Sequence, residues 1–261
     1  MRPIDFGQVA KSYARSREDI PVSLMDSLYI RNIIFAGRKV ADLGCGSGAL
    51  TRKMAMRKAD VIGVEPSKEL LEQAGILNKA KNYIIPYVQG TAEDTKLQDS
   101  QFDMVTIMRA WHWFDRPRAL QEIKRILKAK GILLVIDSRF LPGSEVVERT
   151  FNVLRKYVDG GLKPAGAKAE SKQRINGFPV EWFDEWQMNG FDLSDFYKLN
   201  YSVTFSKQAW VERMESVSWL AGLEMDIREK ALNELFESLS DLSEPFVIPH
   251  DCNVCILRLK E

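Results

Sequence analysis

The stretch Val40-Ala41-Asp42-Leu43-Gly44-Cys45-Gly46-Ser47-Gly48-Ala49-Leu50 joins a short apolar run, three alternating glycines and the start of a helical pattern. This order predicts a strand over residues 39–43, a glycine turn, and a helix from about Ala49. Because glycine has no Cβ, the backbone of such a turn can take positive φ values and come close to a ligand. The first N–H groups of the helix carry a partial positive charge. The stretch therefore predicts a site for a nucleotide-like ligand with a negative group.

The spacing of these glycines is G-x-G-x-G, which distinguishes the turn from two other nucleotide-binding loops. It is not the G-x-G-x-x-G of dinucleotide-binding folds, and this weakens a nicotinamide-dependent interpretation. The G-x-x-x-x-G-K-[ST] pattern of P-loops is missing from the turn, so a P-loop is excluded there.

Asp42-Leu43-Gly44-Cys45-Gly46-Ser47-Gly48 resembles the first motif of class I S-adenosylmethionine-dependent methyltransferases. The resemblance implies that the glycine turn lies against the methionine end of the cofactor, with Asp42 reaching it indirectly. It also implies an acid for the ribose at the tip of the second strand, and Glu65 follows the apolar run 61–64. Two hydroxyls on one carboxylate make a charge-assisted contact. An ordinary tight turn with a solvated Glu65 is the weaker alternative, because turn, acid and spacing occur together.

Length and composition are those of an ordinary globular protein: 261 residues, 45% hydrophobic and 28% charged, with a net charge of +1. The charge gives no reason to expect nucleic-acid or membrane binding through a bulk field. No apolar run approaches the roughly 20 residues of a spanning helix, and residues 1–7 contain no apolar signal core. Three cysteines are too few for a disulfide framework. We expect a cytoplasmic monomer or homodimer.

The N-terminal residues predict two helices. Four apolar positions share one helical face, at Phe6, Val9, Ala10 and Tyr13. A second helix is predicted to start at Pro21. On these residues alone, the segment is a helical pair packed on a sheet edge.

This segment is also similar to the N-terminal part of the trans-aconitate methyltransferase-like group of small-molecule methyltransferases. The shared positions are Phe6, Ala10, Tyr13, Arg17 and Pro21. The similarity implies a cap over the cofactor, with Tyr13 and Arg17 near its carboxylate. Glu18 and Ile20 stand where the group often has Pro and Tyr.

Strands and helices alternate over the next residues, which is typical of a doubly wound parallel sheet. Further strands are predicted at 60–64, 83–88, 102–108 and 132–136. After Asp137 the pattern changes to helices at 145–158 and 179–188 around a mobile loop, 159–177, and then to strands at 197–205 and 247–259. Helices are expected from 206 to 219 and from 226 to 239.

We therefore expect an α/β fold with a Rossmann-like, seven-stranded sheet of the class I methyltransferase type. The single domain would comprise an N-terminal helical cap (1–35), a cofactor-binding core (36–138), a helical insertion or substrate lid (139–195), and C-terminal strands and helices that complete the sheet (196–261).

The loop after the third strand, Gly90-Thr91-Ala92-Glu93-Asp94, meets the adenine in the methyltransferase resemblance. Thr91, Ala92 and Glu93 are the adenine candidates. A polar loop with nothing bound is the alternative.

The stretch Arg109-Ala110-Trp111-His112-Trp113-Phe114-Asp115 follows the fourth strand, where open α/β sheets bind ligands. It resembles the A-x-H-W-F-D stretch of the trans-aconitate methyltransferase-like group. His112 could take a proton from the acceptor or orient it, with an unperturbed pKa of about 6.5. Arg109 could hold a substrate carboxylate bidentately or point to solvent. Aromatic rings at this tip would favour a cationic sulfonium.

The candidate site residues form three groups. The cofactor-binding candidates are Phe6, Tyr13, Arg17, Asp42, Gly44, Cys45, Gly46, Glu65, Pro66, Thr91, Ala92, Glu93, Arg109 and Ala110. The substrate-binding candidates are Trp111, His112 and Trp113. The catalytic candidates are His112 and Arg109.

Two other features of the sequence give weaker evidence of a functional site. Cys252 and Cys255, with His250 beside them, would need a further ligand for zinc, so we expect a strand there and no metal site. A basic cluster in the segment 159–177 is interpreted as a solvated loop; its members are Lys163, Lys168, Lys172 and Arg174.

The sequence favours an S-adenosyl-L-methionine-dependent methyltransferase (EC 2.1.1.-) that acts on a small molecule, at a carboxylate or hydroxyl oxygen. The alternatives are a protein or RNA acceptor, a nicotinamide-dependent dehydrogenase, and a protein that holds the cofactor without chemistry. Near-neutral charge argues against RNA.

Overall fold

The computed structural model describes residues 5–260. The strands are β1 (Lys39–Leu43), β2 (Asp60–Glu65), β3 (Tyr87–Gln89), β4 (Phe102–Met108), β5 (Leu127–Phe140), β6 (Arg174–Ile175), β7 (Phe178–Pro179), β8 (Phe191–Phe205) and β9 (Phe246–Leu259). The helices are α1 (Ala10–Ser16), α2 (Val22–Ile30), α3 (Ala49–Met56), α4 (Lys68–Ala80), α5 (Arg116–Ile126), α6 (Glu145–Leu154), α7 (Val180–Met188), α8 (Lys207–Glu215), α9 (Ser218–Ala221) and α10 (Met225–Ser238).

The main sheet has seven strands in the order β3-β2-β1-β4-β5-β9-β8. Strands β1 to β5 pair in parallel, whereas β9 pairs antiparallel with both β5 and β8. The predicted α/β fold and seven-stranded sheet are confirmed. The carboxyl ends of β1, β2 and β4 meet at one edge, which is where such sheets bind ligands.

The core lies on both faces of this sheet. Side chains of β4 alternate between the faces, so Val105 and Ile107 pack under α5 and Met104 packs toward α2 and α3. Residues on both faces are buried, as expected of a parallel strand covered by helices on each side. A third cluster joins α6 to α8 and α10 around Trp210, whose Nε1 donates to Thr150 at 2.9 Å.

Several element boundaries differ from the sequence-based expectation. The third strand covers 87–89 rather than 83–88. Strand β5 is longer than predicted because Leu127 pairs with β4 and residues up to Phe140 pair with β9, and β8 is longer because it pairs with β9 from Phe191 onward. The segment 159–177, expected to be a mobile loop, contains a 3-10 helix at Gly166–Ala169 and strand β6.

Candidate active site

The glycine turn after β1 takes the predicted left-handed conformation. Gly44, Gly46 and Gly48 have φ values of 64°, 56° and 78°. A Cβ at Gly44 would lie 2.6 Å from the Cβ of Ala110, and one at Gly46 would lie 3.1 Å from the ring of Tyr13. The turn therefore combines a backbone conformation and a lack of space that together require glycine.

Glu65, at the tip of β2, is joined to this turn. Its Oε2 accepts the backbone N–H of Gly46 at 2.9 Å, and its Oε1 accepts that of Ser67 at 3.2 Å. Burial raises the pKa of the carboxyl, which is 7% exposed. Each carboxylate oxygen has a second lone pair, so Glu65 can still accept from two hydroxyls of a ligand.

Asp42 lies beneath the turn and is 1% exposed. It accepts hydrogen bonds from Thr51 Oγ1 at 2.6 Å and from Thr106 Oγ1 at 2.8 Å. Burial raises the pKa of Asp42 to about 6, against these two hydrogen bonds. Both carboxylate oxygens of Asp42 are therefore engaged with α3 and β4 beneath the turn.

A small cavity of about 30 Å³ opens between the turn and the N-terminal helix. Six of the predicted site residues line it: Tyr13, Arg17, Asp42, Gly44, Cys45 and Arg109. Five others that the sequence did not single out also line it: Ile20, Ser47, Ala49, Leu50 and Met108. A cavity of this volume has room for about one water molecule.

The cavity is small because the N-terminal cap, residues 5–21, closes over it. The Phe6 ring lies 5.9 Å from that of Tyr13 and 5.7 Å from that of Trp113, both edge to face. Arg17 lies 5.0 Å from the centre of the Tyr13 ring and donates to Ser216 on the far side. Three residues of this cap, Tyr13, Arg17 and Ile20, line the cavity beside the glycine turn.

Arg109 faces inward rather than toward solvent. It follows β4 in a left-handed conformation, with φ of 59°, and its Nε donates to Ser138 Oγ at 2.7 Å. Its Nη2 lies 2.6 Å from Asp19 Oδ1. Burial alone would lower the pKa of Arg109, but the charge of Asp19 holds it above its ordinary value. The alternative of a solvated guanidinium is therefore wrong.

His112 lies under the insertion and is 8% exposed. Its ring centre is 4.8 Å from that of Trp113, and a Cβ at Gly166 would lie 2.2 Å from its backbone oxygen. Burial, and then the charge of Lys168, lower the pKa of His112 to about 3, although Asp137 opposes them. The imidazole is therefore neutral at pH 7, and the expected pKa of about 6.5 is wrong.

Lys168 forms an ion pair with Asp137, which lies near the end of β5. The two side chains are 13% and 12% exposed, so the pair is largely removed from solvent. Lys168 was expected to be part of a solvated loop, and for this residue the expectation is wrong. The pair fixes the 3-10 helix of the insertion over the strand tips and beside His112.

Other predicted residues lie away from this cavity. Trp111 is 2% exposed and packs in the core against Phe114 and Trp186, so it is not a wall of the pocket. Glu93 accepts the backbone N–H of Asp115 at 2.8 Å. Three further cofactor-binding candidates are also placed by the structure. The backbone carbonyl of Pro66 accepts a hydrogen bond from the side-chain amide of Gln89, Thr91 forms an isolated β-bridge with Asp94, and Ala92 is 3% exposed.

Cys252 and Cys255 are buried on β9, and His250 Nδ1 contacts the carbonyl of Ile248. Among residues 5–260, no three or more His, Cys, Asp and Glu side chains come together as they would around a metal ion. Within the same residues, no helix has both the length and the hydropathy needed to cross a membrane.

The order of the sheet, the glycine turn and the acid at the tip of β2 together define a class I methyltransferase fold. Residues 41–135 match the family model of a methyltransferase domain, and the proteins of that family use S-adenosyl-L-methionine.

The comparisons with known proteins agree with this classification. An uncharacterized methyltransferase of Mycobacterium tuberculosis is 36% identical over 137 residues, which is 52% of this chain and 53% of the relative. The uncharacterized methyltransferase YcgJ of Bacillus subtilis is 28% identical over 180 residues, 68% of this chain and 66% of the relative. These matches span about half to two thirds of the relatives' own length.

The crystal structure of YcgJ superposes with a TM-score of 0.55 at 22% identity, covering 90% of this chain and 97% of that chain. At this identity the likeness shows the fold.

Proposed function

We propose that this chain transfers the methyl group of S-adenosylmethionine to a small-molecule acceptor, at a carboxylate or hydroxyl oxygen. The single observation that supports cofactor binding best is the unit formed by the glycine turn and the Glu65 carboxylate, joined at 2.9 Å. The turn would lie against the methionine end, and Glu65 would accept the ribose hydroxyls. When bound, the cofactor supplies a methyl group that its sulfonium has already activated.

The residues present fit such a ligand. The glycine turn, the Tyr13 ring and the guanidiniums of Arg17 and Arg109 line one cavity, and guanidiniums suit a carboxylate. Glu65 is joined to the same turn through the backbone N–H of Gly46. The remaining task of the protein is to align the acceptor and exclude water, because the leaving group needs no further activation. In this proposal the N-terminal segment and the insertion would do both.

A neutral, buried His112 is better suited to orienting the acceptor than to taking its proton. A group with a pKa of about 3 is a weak base at pH 7. This favours an acceptor that is already ionised, such as a carboxylate, over a hydroxyl that must lose a proton.

Incubation with S-adenosylmethionine labelled at the methyl group, together with a cell extract, tests the proposal. We expect label in the small-molecule fraction, and less of it with Glu65→Ala. Label only in protein or RNA would contradict the proposed acceptor class, and no transfer with any fraction would contradict the activity.

A further inference from the structure

A second cavity, which we call the basal cavity, has a volume of about 250 Å³ and lies at the opposite edge of the main sheet from the glycine turn. It opens near the starts of β1, β4 and β5 and the end of β9, four strands that are neighbours in the sheet. Met104 of β4 lines this cavity, whereas Met108 of the same strand lines the cavity at the glycine turn. Four residues of strand separate the two by roughly 13 Å. The basal cavity is therefore a separate site.

Part of the lining of the basal cavity is apolar. Met104, Ile132 and Arg258 are direct partners across β4, β5 and β9, so their side chains leave the same face of the sheet. Met104 and Ile132 are 3% and 8% exposed, and the exposed side chain of Ile34 also lines the cavity. Concave sites with an apolar lining and a few polar groups are typical of those that bind small organic molecules.

The rest of the lining is rich in positive charge. Arg38, Lys128 and Arg258 line the cavity. Asp103 is the one acid among the described residues that do so. Even without Lys130, which also lines the cavity, three cations face one carboxylate, and the surplus is two positive charges. A concave surface with a surplus of one sign raises the local concentration of ions of the opposite sign, so this cavity favours anions.

Asp103 holds two of the three cations in place. Its Oδ1 accepts a hydrogen bond from Lys128 Nζ at 2.9 Å and lies 3.7 Å from Arg38 Nη1, and its Oδ2 accepts the backbone N–H of Lys39 at 2.9 Å. Burial alone would raise the pKa of Asp103, but these contacts lower it below its ordinary value, so the carboxylate is ionised at pH 7. Arg258 is different, because within residues 5–260 its side chain forms no hydrogen bond or ion pair. Its guanidinium is therefore available to a ligand.

Charge and volume together define the class of ligand. A phosphate monoester carries a charge of about −1.5 to −2 at pH 7, which matches the surplus. Guanidinium groups bind phosphate oxygens bidentately, and an ammonium group adds a point charge. A water molecule takes up about 30 Å³ in the liquid, so a cavity of about 250 Å³ holds roughly eight, and this limits the ligand to about one ring with its phosphate. The net charge of +1 for the whole chain argues against a nucleic-acid polymer.

We propose that the basal cavity binds a small phosphate monoester. Arg38, Lys128 and Arg258 hold the phosphate, and the organic part lies on Met104 and Ile132. Asp103 positions the first two cations before the ligand arrives, and Arg258 supplies the guanidinium that no protein group uses. The site lies apart from the cofactor cavity and does not depend on the proposed function.

The test is calorimetric titration of the full chain with phenyl phosphate, which combines one ring with a phosphate monoester. Inorganic phosphate supplies the charge without the ring, and phenol supplies the ring without the charge, both at the same ionic strength. We expect phenyl phosphate to bind, and each of the other two to bind about tenfold more weakly or less, because each lacks one half of the contact. Saturation with S-adenosylhomocysteine should leave the affinity for phenyl phosphate unchanged, because the cofactor cavity lies at the other edge of the sheet.

Two variants locate the binding. Arg258→Gln should weaken the binding of phenyl phosphate about tenfold or more, as expected for loss of one charged hydrogen-bonding partner. Its matched control is Arg118→Gln, an exposed position in the first turn of α5 at the other edge of the sheet, which should leave the affinity unchanged. Ala129→Trp fills the cavity from an exposed position and keeps every charge, so it should abolish binding while circular dichroism shows the same fold.

Equal affinity for phenyl phosphate in wild type, Arg258→Gln and Ala129→Trp would overturn the proposal, as would no binding by wild type. So would equal affinities for inorganic phosphate and phenyl phosphate, because the apolar residues would then take no part. Loss of phenyl phosphate binding on addition of S-adenosylhomocysteine would place the ligand in the cofactor cavity instead. Tighter binding of single-stranded RNA than of phenyl phosphate, weakened in Arg258→Gln, would assign the surface to a polymer.

Discussion

The backbone N–H of Gly46 donates to the carboxylate of Glu65 at 2.9 Å, from the turn after β1 to the tip of β2. The two residues are 19 positions apart in the sequence. This bond links the glycine turn to the acid, so a substitution at either residue should alter the position of the other. It also explains why Glu65 is buried although it is charged.

Gly46→Ala should disturb both the cap and the cofactor site. The left-handed conformation costs a residue with a Cβ about 1–2 kcal/mol, and that Cβ would press on Tyr13 at 3.1 Å. We expect lower stability in urea unfolding and weaker binding of S-adenosylmethionine. The control is Gly75→Ala in α4, where nothing lies within 4 Å of the new Cβ and the helix should gain about 0.5–1 kcal/mol. Equal stability of the two variants would contradict the account.

Hydrogen exchange should report movement of the cap. The cavity of about 30 Å³ is smaller than a nucleoside, so we expect residues 5–21 to move when the cofactor binds. We expect these amides to exchange more slowly when S-adenosylmethionine is bound. The amides of α10, far from the turn, serve as the internal control. Unchanged exchange across 5–21 would show that the cap is not a lid.

The stability of the protein should depend on His112 below pH 6.5. Burial lowers the folded-state pKa of His112 to about 3, so only the unfolded chain takes up a proton as the pH falls from about 6.5. His112 therefore costs about 1.4 kcal/mol per pH unit over this range, and no effect is present above it.

His112→Gln should remove this part of the acid sensitivity, which urea unfolding at pH 7 and pH 5 would measure. The turnover of the wild type should show no inflection near pH 6.5. A clear inflection there, lost in His112→Gln, would show that His112 titrates in the reaction as a base.

Lys168→Met should release the insertion from the strand tips. Removing one member of a buried ion pair leaves the other uncompensated, and this costs about 3–5 kcal/mol. The loss should appear as faster proteolysis within 159–177. Lys172→Met, at an exposed position in the same loop, is the matched control. If both variants resisted proteolysis equally, Lys168 would not be holding the loop.

The sequence predicted the parts of the site that follow local rules. The glycine turn, the acid of β2 and the burial of β4 could be read from spacing and apolar runs, because each depends on residues close together in the chain. Trp111 was misplaced because an apolar aromatic ring looks the same at a pocket wall and in a core, and here Trp186 of the insertion covers it.

Arg213 and Lys168 could not be predicted, because each meets its partner only through the tertiary fold. Arg213 is 194 positions from Asp19, and Lys168 is 31 positions from Asp137. Their residue types are common on surfaces, so nothing in their neighbourhoods marks them as buried. The one local signal was Asp137 near the end of β5, because ligands and their neighbouring polar groups lie at the carboxyl ends of such strands.

Calorimetric titration with S-adenosylmethionine, of wild type, Glu65→Ala and Glu72→Ala, tests the central claim most directly. The account predicts binding by wild type and by Glu72→Ala, an exposed position on α4, with no binding of NAD. Loss of one charged hydrogen-bonding contact is worth about 1.5–3 kcal/mol, so Glu65→Ala should bind roughly ten- to a hundredfold more weakly. The same dissociation constant for Glu65→Ala as for wild type, or no binding of S-adenosylmethionine by wild type, would contradict it.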